Sequence, residues 1–358
     1  RVRATVGIPG SGISYTQDLY KFGQGNDGNQ YHNPRPQMRY ISPEHVQYYA
    51  PQDEGQRLIR SAAVEYLTSD GLKSLRDLII TANTQQKEIR ADLAEARAEE
   101  IRQRDKLLAR QKSLFRYFYK RSIAELSASL PVVAAEVLRL EEWEQNTKIK
   151  IEFDAGEHCN YVYSQLVEAF DDLRKSSRIW DITSESDVDQ FRERSNASRS
   201  LYRKLVRFNY VSNDLIEFDG KAMRFQNANG NDILIYPGVA LIPSDNGDFA
   251  LIDLRELNIC GGVTRFIESE GVPHDSEIVD HTWFKVNKNG SPARRFNDNY
   301  QIPICKYGEL VFSSGKGINE QYHLSQAKPA NFFGALYPMY QEACLLYTSP
   351  EPTRPEPI

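Results

Sequence analysis

The chain has 358 residues, room for two or three domains, with 44 basic and 49 acidic residues and a net charge of −5. A generic nucleic-acid binder is basic overall, so this balance argues against that class, and no apolar run approaches the ~18 residues of a membrane span. Cys159, Cys260, Cys305 and Cys344 stand too far apart for a metal-ligand set or a disulfide framework, which fits a reducing, cytoplasmic setting. No cofactor and no transmembrane segment are expected, and no signal peptide is visible. Arg1 in first position suggests that the native start is missing.

Val2, Ala4, Val6 and Ile8, then Ile13 and Tyr15, alternate as a strand, a turn and a strand, the end of a β-rich module over 1–19. The turn holds the glycine-rich run GIPGSGIS. A dinucleotide loop needs a helix directly after its glycines, and a P-loop needs Gly-Lys-Ser/Thr. Both are missing, so the glycines read as a tight turn and not as a phosphate cradle. Residues 20–43, rich in Gly, Asn, Gln and Pro, read as a linker.

A helical, coiled-coil region is expected over 44–147, starting near Ser42 or Pro43. Leu58, Leu67, Leu72, Leu75 and Ile79 keep a rough helical period. Residues 85–110 lack Gly and Pro and are rich in Ala, Glu, Lys and Arg. Ile123, Leu126, Leu130, Val133, Val137 and Leu140 then alternate by three and four, a coiled-coil seam. Between the arms lies the aromatic, basic segment SLFRYFYKRS. The pattern predicts an antiparallel helical hairpin with arms of roughly 29 residues, ~43 Å each at 1.5 Å per residue. Pro131 is expected to kink or restart the second arm, with Ser129 as a cap.

Residues 148–208 read as a strand–helix–strand connector: KIKIEF, a helix over 157–175, and RIWDIT. Residues 209–342 form an antiparallel β domain, with Asn-Gly or Asp-Gly steps at 229–230, 246–247 and 289–290 as turn signals. A final helix carries Phe332, Phe333, Leu336 and Tyr337. The fold class is therefore α+β, a helical hairpin followed by a pleckstrin-homology-like barrel with a C-terminal helix, or by a sandwich of similar strand count. Residues 343–358, with four prolines in the last nine, read as a disordered tail or a translated adapter sequence.

Three stretches could carry chemistry. HDSEIVDH groups His274, Asp275, Glu277, Asp280 and His281, the material of a metal-dependent hydrolase, or of a solvated loop feeding a strand at Thr282. Residues 192–208 hold Arg192, Arg194, Arg199, Arg203, Lys204 and Arg207 against Glu193, which suits phosphate of nucleic acid or lipid, or a basic linker and helix. Residues 285–303 read as a strand, a turn and a strand. There Lys285, Lys288, Arg294, Arg295 and Tyr300 are the expected contacts to an anionic ligand or partner. No catalytic Ser–His–Asp, Cys–His or two-carboxylate pattern is visible, so no catalytic or metal residue is assigned.

Val6-Gly7-Ile8-Pro9-Gly10-Ser11-Gly12 with Ser14-Tyr15 resembles the closing segment of the bacterial domain of unknown function 4236. Thr282-Trp283, Val286-Asn287-Lys288-Asn289-Gly290, Arg294-Arg295-Phe296, Gln301-Ile302-Pro303, Tyr307-Gly308-Glu309-Leu310 and Asn319-Glu320 resemble the C-terminal region of its members. The resemblance implies a β-rich module, a coiled-coil middle and a long C-terminal region, and no reaction. The expected function is a non-enzymatic interaction or scaffold module that binds a protein, peptide or anionic ligand and self-associates or meets a partner through the coiled coil. A nucleic-acid-associated protein of a defence or mobile-element system is the second expectation, and the metal-dependent hydrolase the third.

Overall fold

The computed structural model describes residues 2–7, 14–18, 46–51, 55–146, 150–153, 156–213 and 220–346. They fall into two compact units, one of residues 1–20, 74–152 and 212–220, the other of 21–73, 153–211 and 221–358. The expected linker at 20–43, the glycine-rich turn and the tail from 347 onward lie outside the described residues, except that helix α6 below covers 343–346.

In the first unit β1 (Val2–Gly7) pairs antiparallel with β2 (Ser14–Asp18), Gly7 opposite Ser14, as the alternation predicts. The chain then supplies β3 (Val46–Tyr49), β4 (Arg57–Leu58) and the short helix α1 (Val64–Leu67) to the second unit. A helix was expected here. VQYY is short, aromatic and β-branched, and Pro51 follows it, which favours an extended strand. Next come α2 (Lys73–Lys112), 40 residues long, and α3 (Lys120–Asn146), 27 residues long. At 1.5 Å per residue they measure ~60 and ~40 Å. α2 exceeds the expected arm because KSLRDLIITANT is continuous with the Ala- and Glu-rich run.

Leu93 of α2 packs with Val137 and Leu140 of α3. Arg90 pairs with Glu144 at 2.7 Å and Arg97 with Glu141 at 2.6 Å. α3 runs through Pro131 as one helix. Ser129 is no cap: its hydroxyl donates to Gln103 of α2 at 2.8 Å. β5 (Lys150–Phe153) lies beside β1, giving the strand order β2-β1-β5.

The second unit continues with α4 (Gly156–Leu173), β6 (Ile179–Asp187), the single turn α5 (Gln190–Glu193) and β7 (Arg199–Val206). β8 (Phe208–Val211), β9 (Ala222–Phe225), β10 (Ile233–Tyr236), β11 (Val239–Pro243) and β12 (Phe249–Asp253) form an antiparallel five-stranded sheet in sequence order. Gly247, at φ 85°, takes the left-handed turn between β11 and β12 that Asn246-Gly247 predicts.

β13 (Leu257–Ile267), β14 (Glu277–Trp283), β15 (Gln301–Ser314) and β16 (Asn319–Leu324) complete the strands, and α6 (Ala327–Leu346) follows. Six strands close a barrel in the order β13-β3-β7-β6-β16-β15, with β15 pairing back to β13. β14 extends β15 and β4 extends β6. The expected antiparallel pattern holds except at β3, which runs parallel to both β13 and β7. Of the expected strand–turn–strand over 285–303, the turn at Asn289-Gly290 is present, with Gly290 at φ 78°, flanked by the bridge Val286–Pro292, and residues 301–303 open β15. Residues 199–206, expected within a linker and helix, are barrel wall.

Alternation along each strand decides which side chains fill the barrel. Trp180, Ile182, Leu201, Phe266, Cys305 and Tyr307 meet inside. Leu257, Ile259, Leu310, Phe312, Tyr322 and Leu324 point outward into the main core, shared with α4, α6 and the five-stranded sheet. α6 can approach closely because glycines meet. A Cβ on Gly261 would lie 2.2 Å from the Ala330 carbonyl oxygen, and one on Gly334 2.0 Å from the Gly261 nitrogen.

Candidate functional site

A cleft of about 610 Å³ opens in the second unit beside the end of α4. α4 stops at Leu173, and residues 174–178, RKSSR, turn the chain into β6. Opposite, β7 ends at Val206 and β8 begins at Phe208, so Arg207 sits where the chain leaves the barrel for the second sheet. Gln226 fixes this corner by accepting the Arg207 backbone N–H at 2.9 Å. Arg174, Ser176, Ser177, Arg178, Arg207 and Gln226 supply the polar lining, and Ile179, Leu205, Val206 and Phe208 the apolar lining.

The three guanidinium groups differ in what already holds them. Arg174 donates to Asp171 at 2.7 Å and lies over the Tyr210 ring at 5.2 Å. Arg178 donates to the Gly271 carbonyl at 3.1 Å, a neutral partner. The Arg207 side chain has no hydrogen bond or ion pair among the described residues. Ser176 is buried and its hydroxyl has no protein partner. The turn itself is anchored from below. Asp275 accepts from the Ser177 backbone N–H at 2.8 Å and from its hydroxyl, from Ser325 and from Gln326. Burial opposes ionisation of Asp275, but these donors outweigh it and hold the carboxyl down at about 2. That acid is thus engaged with the turn.

Two cationic forks without an acid and an apolar floor suit an organic anion. Guanidinium pairs bidentately with phosphate or carboxylate oxygens, and the volume lies in the range of small-molecule sites.

The barrel interior is also polar, but closed. Arg203 lies 4.2 Å from both the Trp180 and Phe266 rings. It donates to both oxygens of Glu268, at 3.0 and 2.8 Å, and to Glu270 at 3.1 Å. Tyr307 donates to Glu268 at 2.6 Å, and burial pushes its phenol far up. His323 is fully buried with Glu309 3.8 Å away, and burial lowers its pKa. The Arg203 and Glu268 side chains are 1% and 0% exposed, so this pair serves the fold.

The expected contacts at 285–300 lie on the segment between the end of β14 and the start of β15. Lys285 donates to the Glu193 carbonyl at 3.0 Å. Lys288, Arg294 and Arg295 are exposed, Arg295 beside the Phe296 ring at 4.9 Å. Tyr300 stacks on Phe284 at 5.4 Å. The acids of 274–281 part. Asp275 faces the 176–178 turn, Asp280 accepts from Arg265 at 2.9 Å, and His274 and His281 are exposed. Residues 277–283 are strand and not loop. Among the described residues no group of three His, Cys, Asp or Glu is placed to hold a metal ion. The cations of 192–208 scatter: Arg199 pairs with Glu185 at 3.1 Å, Arg203 is inside the barrel and Arg207 lines the cleft.

Sequence reading included Arg207 in a basic stretch but missed Arg174, Ser176 and Arg178. The signal was RKSSR, a basic, serine-bearing turn directly before a buried strand. Compared with known protein families, with curated proteins and with solved structures, the chain matches none of them.

Proposed function

We propose that this chain is an interaction module that takes up a small phosphorylated organic anion in the cleft between α4, β6 and β7. One observation carries the reading: Arg178 and Arg207 line one cleft without a carboxylate partner, beside the buried, unpartnered hydroxyl of Ser176. The phosphate would sit against the guanidinium forks and the organic part against Leu205 and Val206. Binding, not bond breaking, is the proposed role. A small barrel followed by the helix α6 supports the pleckstrin-homology-like comparison to that extent.

The helix pair belongs to the same proposal as an antiparallel coiled-coil hairpin. The Arg90–Glu144 and Arg97–Glu141 pairs, whose numbers rise on one helix as they fall on the other, support it. Membership of the bacterial domain of unknown function 4236 is proposed too, and the Gly7–Ser14 pairing supports a turn at the matching segment.

Calorimetric titration with inorganic phosphate and with adenosine monophosphate tests the cleft. Both should bind at low salt, the nucleotide more tightly. Arg207→Gln should weaken either by about tenfold or more, the worth of a charged hydrogen bond. Equal binding by parent and variant, or no binding of either probe, defeats the reading.

A further inference from the structure

The turn between α2 and α3, residues 113–119, leaves an unusual set of side chains bare. Leu114 is 98% exposed, Phe118 82%, Tyr117 71% and Phe115 65%. Apolar residues scattered singly on a surface are ordinary, but four large ones within five positions are not. From 106 to 124 the chain also carries Lys106, Arg110, Lys112, Arg116, Lys120 and Arg121 and no acid, in a protein whose net charge is −5. Among the described residues only Arg121 of these has a carboxylate partner, Glu125, at 3.0 Å. Lys120 and Arg110 lie against the Tyr117 and Tyr119 rings, at 4.2 and 5.6 Å.

We infer that this turn docks onto an anionic lipid bilayer surface. Aromatic rings flanked on both sides by Lys and Arg match the chemistry of the membrane interface, where rings sit among headgroups and cations meet anionic lipid. No helix among the described residues is long and apolar enough to cross a membrane. Attachment would therefore be interfacial, by partial insertion of Leu114, Phe115 and Phe118 with Lys112, Arg116 and Lys120 at the phosphates. The inference uses only residues of the first unit and does not depend on the cleft.

Co-sedimentation of the full chain with vesicles tests it. Phosphatidylcholine vesicles containing phosphatidylserine should bind the protein, and phosphatidylcholine alone should bind it weakly. Lys112→Gln with Arg116→Gln should cut partitioning about 30-fold, from two cations each worth about 1 kcal/mol near such a surface. Phe115→Ser with Phe118→Ser should reduce it at least as far without changing the melting temperature, since both rings are exposed. Equal binding to both vesicle types, or unchanged binding by both double variants, overturns the inference. So does a change of oligomeric state in the phenylalanine variant without lipid, because the turn would then be packed on a second copy.

Discussion

Asp181 points outward from β6, opposite Tyr322 on β16, with its carboxylate on the Ala228 backbone N–H at 2.7 Å. Its other oxygen has no protein partner. Burial above all, with nearby Glu320 adding to it, pushes its pKa up to about 7. In an unfolded chain an Asp releases its proton near pH 4. The contribution of Asp181 to stability is thus full below about pH 4 and is lost as the pH rises to about 7, at up to about 1.4 kcal/mol per pH unit. Glu320, also raised by burial, acts in the same sense. Asp275, held at about 2, acts in the opposite sense and at lower pH. Asp181→Asn keeps an acceptor for Ala228 and should flatten the loss of stability between pH 4 and 7, read from urea midpoints. A variant as pH-dependent as the parent across that window would show that Asp181 ionises without penalty. None of this was legible in the sequence, because Asp181 lies within a strand pattern and its partners come from the 227–232 loop and from β16.

At the level of elements, pattern and period carried most of the reading. β1, β2, β5, α4, β6, the strands after 220 apart from β14, and α6 follow their alternation or helical spacing. The failures share a cause. VQYY is too short to show a period, and it becomes β3 only because β13 and β7 each offer an open edge. RSLYRKLV reads as basic, but Arg203 is buried with Leu201 while its neighbour Lys204 is exposed. Arg203 is masked as a surface cation until Trp180, Phe266 and Glu268 surround it. The seating of α6 could not be read either, since two glycines at unrelated positions, Gly261 and Gly334, meet there. Gly261→Ala would drive a methyl group into the Ala330 carbonyl, backbone against backbone. It should cost on the order of 3 kcal/mol or more. Gly315→Ala, where a Cβ meets nothing within 4 Å, should stay within about 0.5 kcal/mol. Denaturant midpoints of the two variants settle whether the contact is as tight as described.

For the molecule as a whole, the sequence suggested domains in series, and the contacts run otherwise. The second unit is built from three separated stretches, with α2, α3 and β5 inserted between β3 and β6. Such nesting leaves no mark on composition or periodicity. A fragment of residues 153–346 has the long β strands and both packing helices but lacks β3, so β7 and β13 would keep unpaired edges. It should melt without cooperativity and bind a hydrophobic dye, and a peptide spanning 44–60 should restore a sharp transition. A cooperative transition in the fragment alone would show that β3 is dispensable. The same nesting sets a timetable for biosynthesis. The Ser198–Val46 bond joins positions 152 residues apart, and Thr264–Gln47 positions 217 apart. At about 5–20 residues per second, a ribosome would hold the first barrel strand in waiting for roughly 10–40 s before its last neighbour emerges. The inserted helices, whose contacts are closer in sequence, can form during that delay.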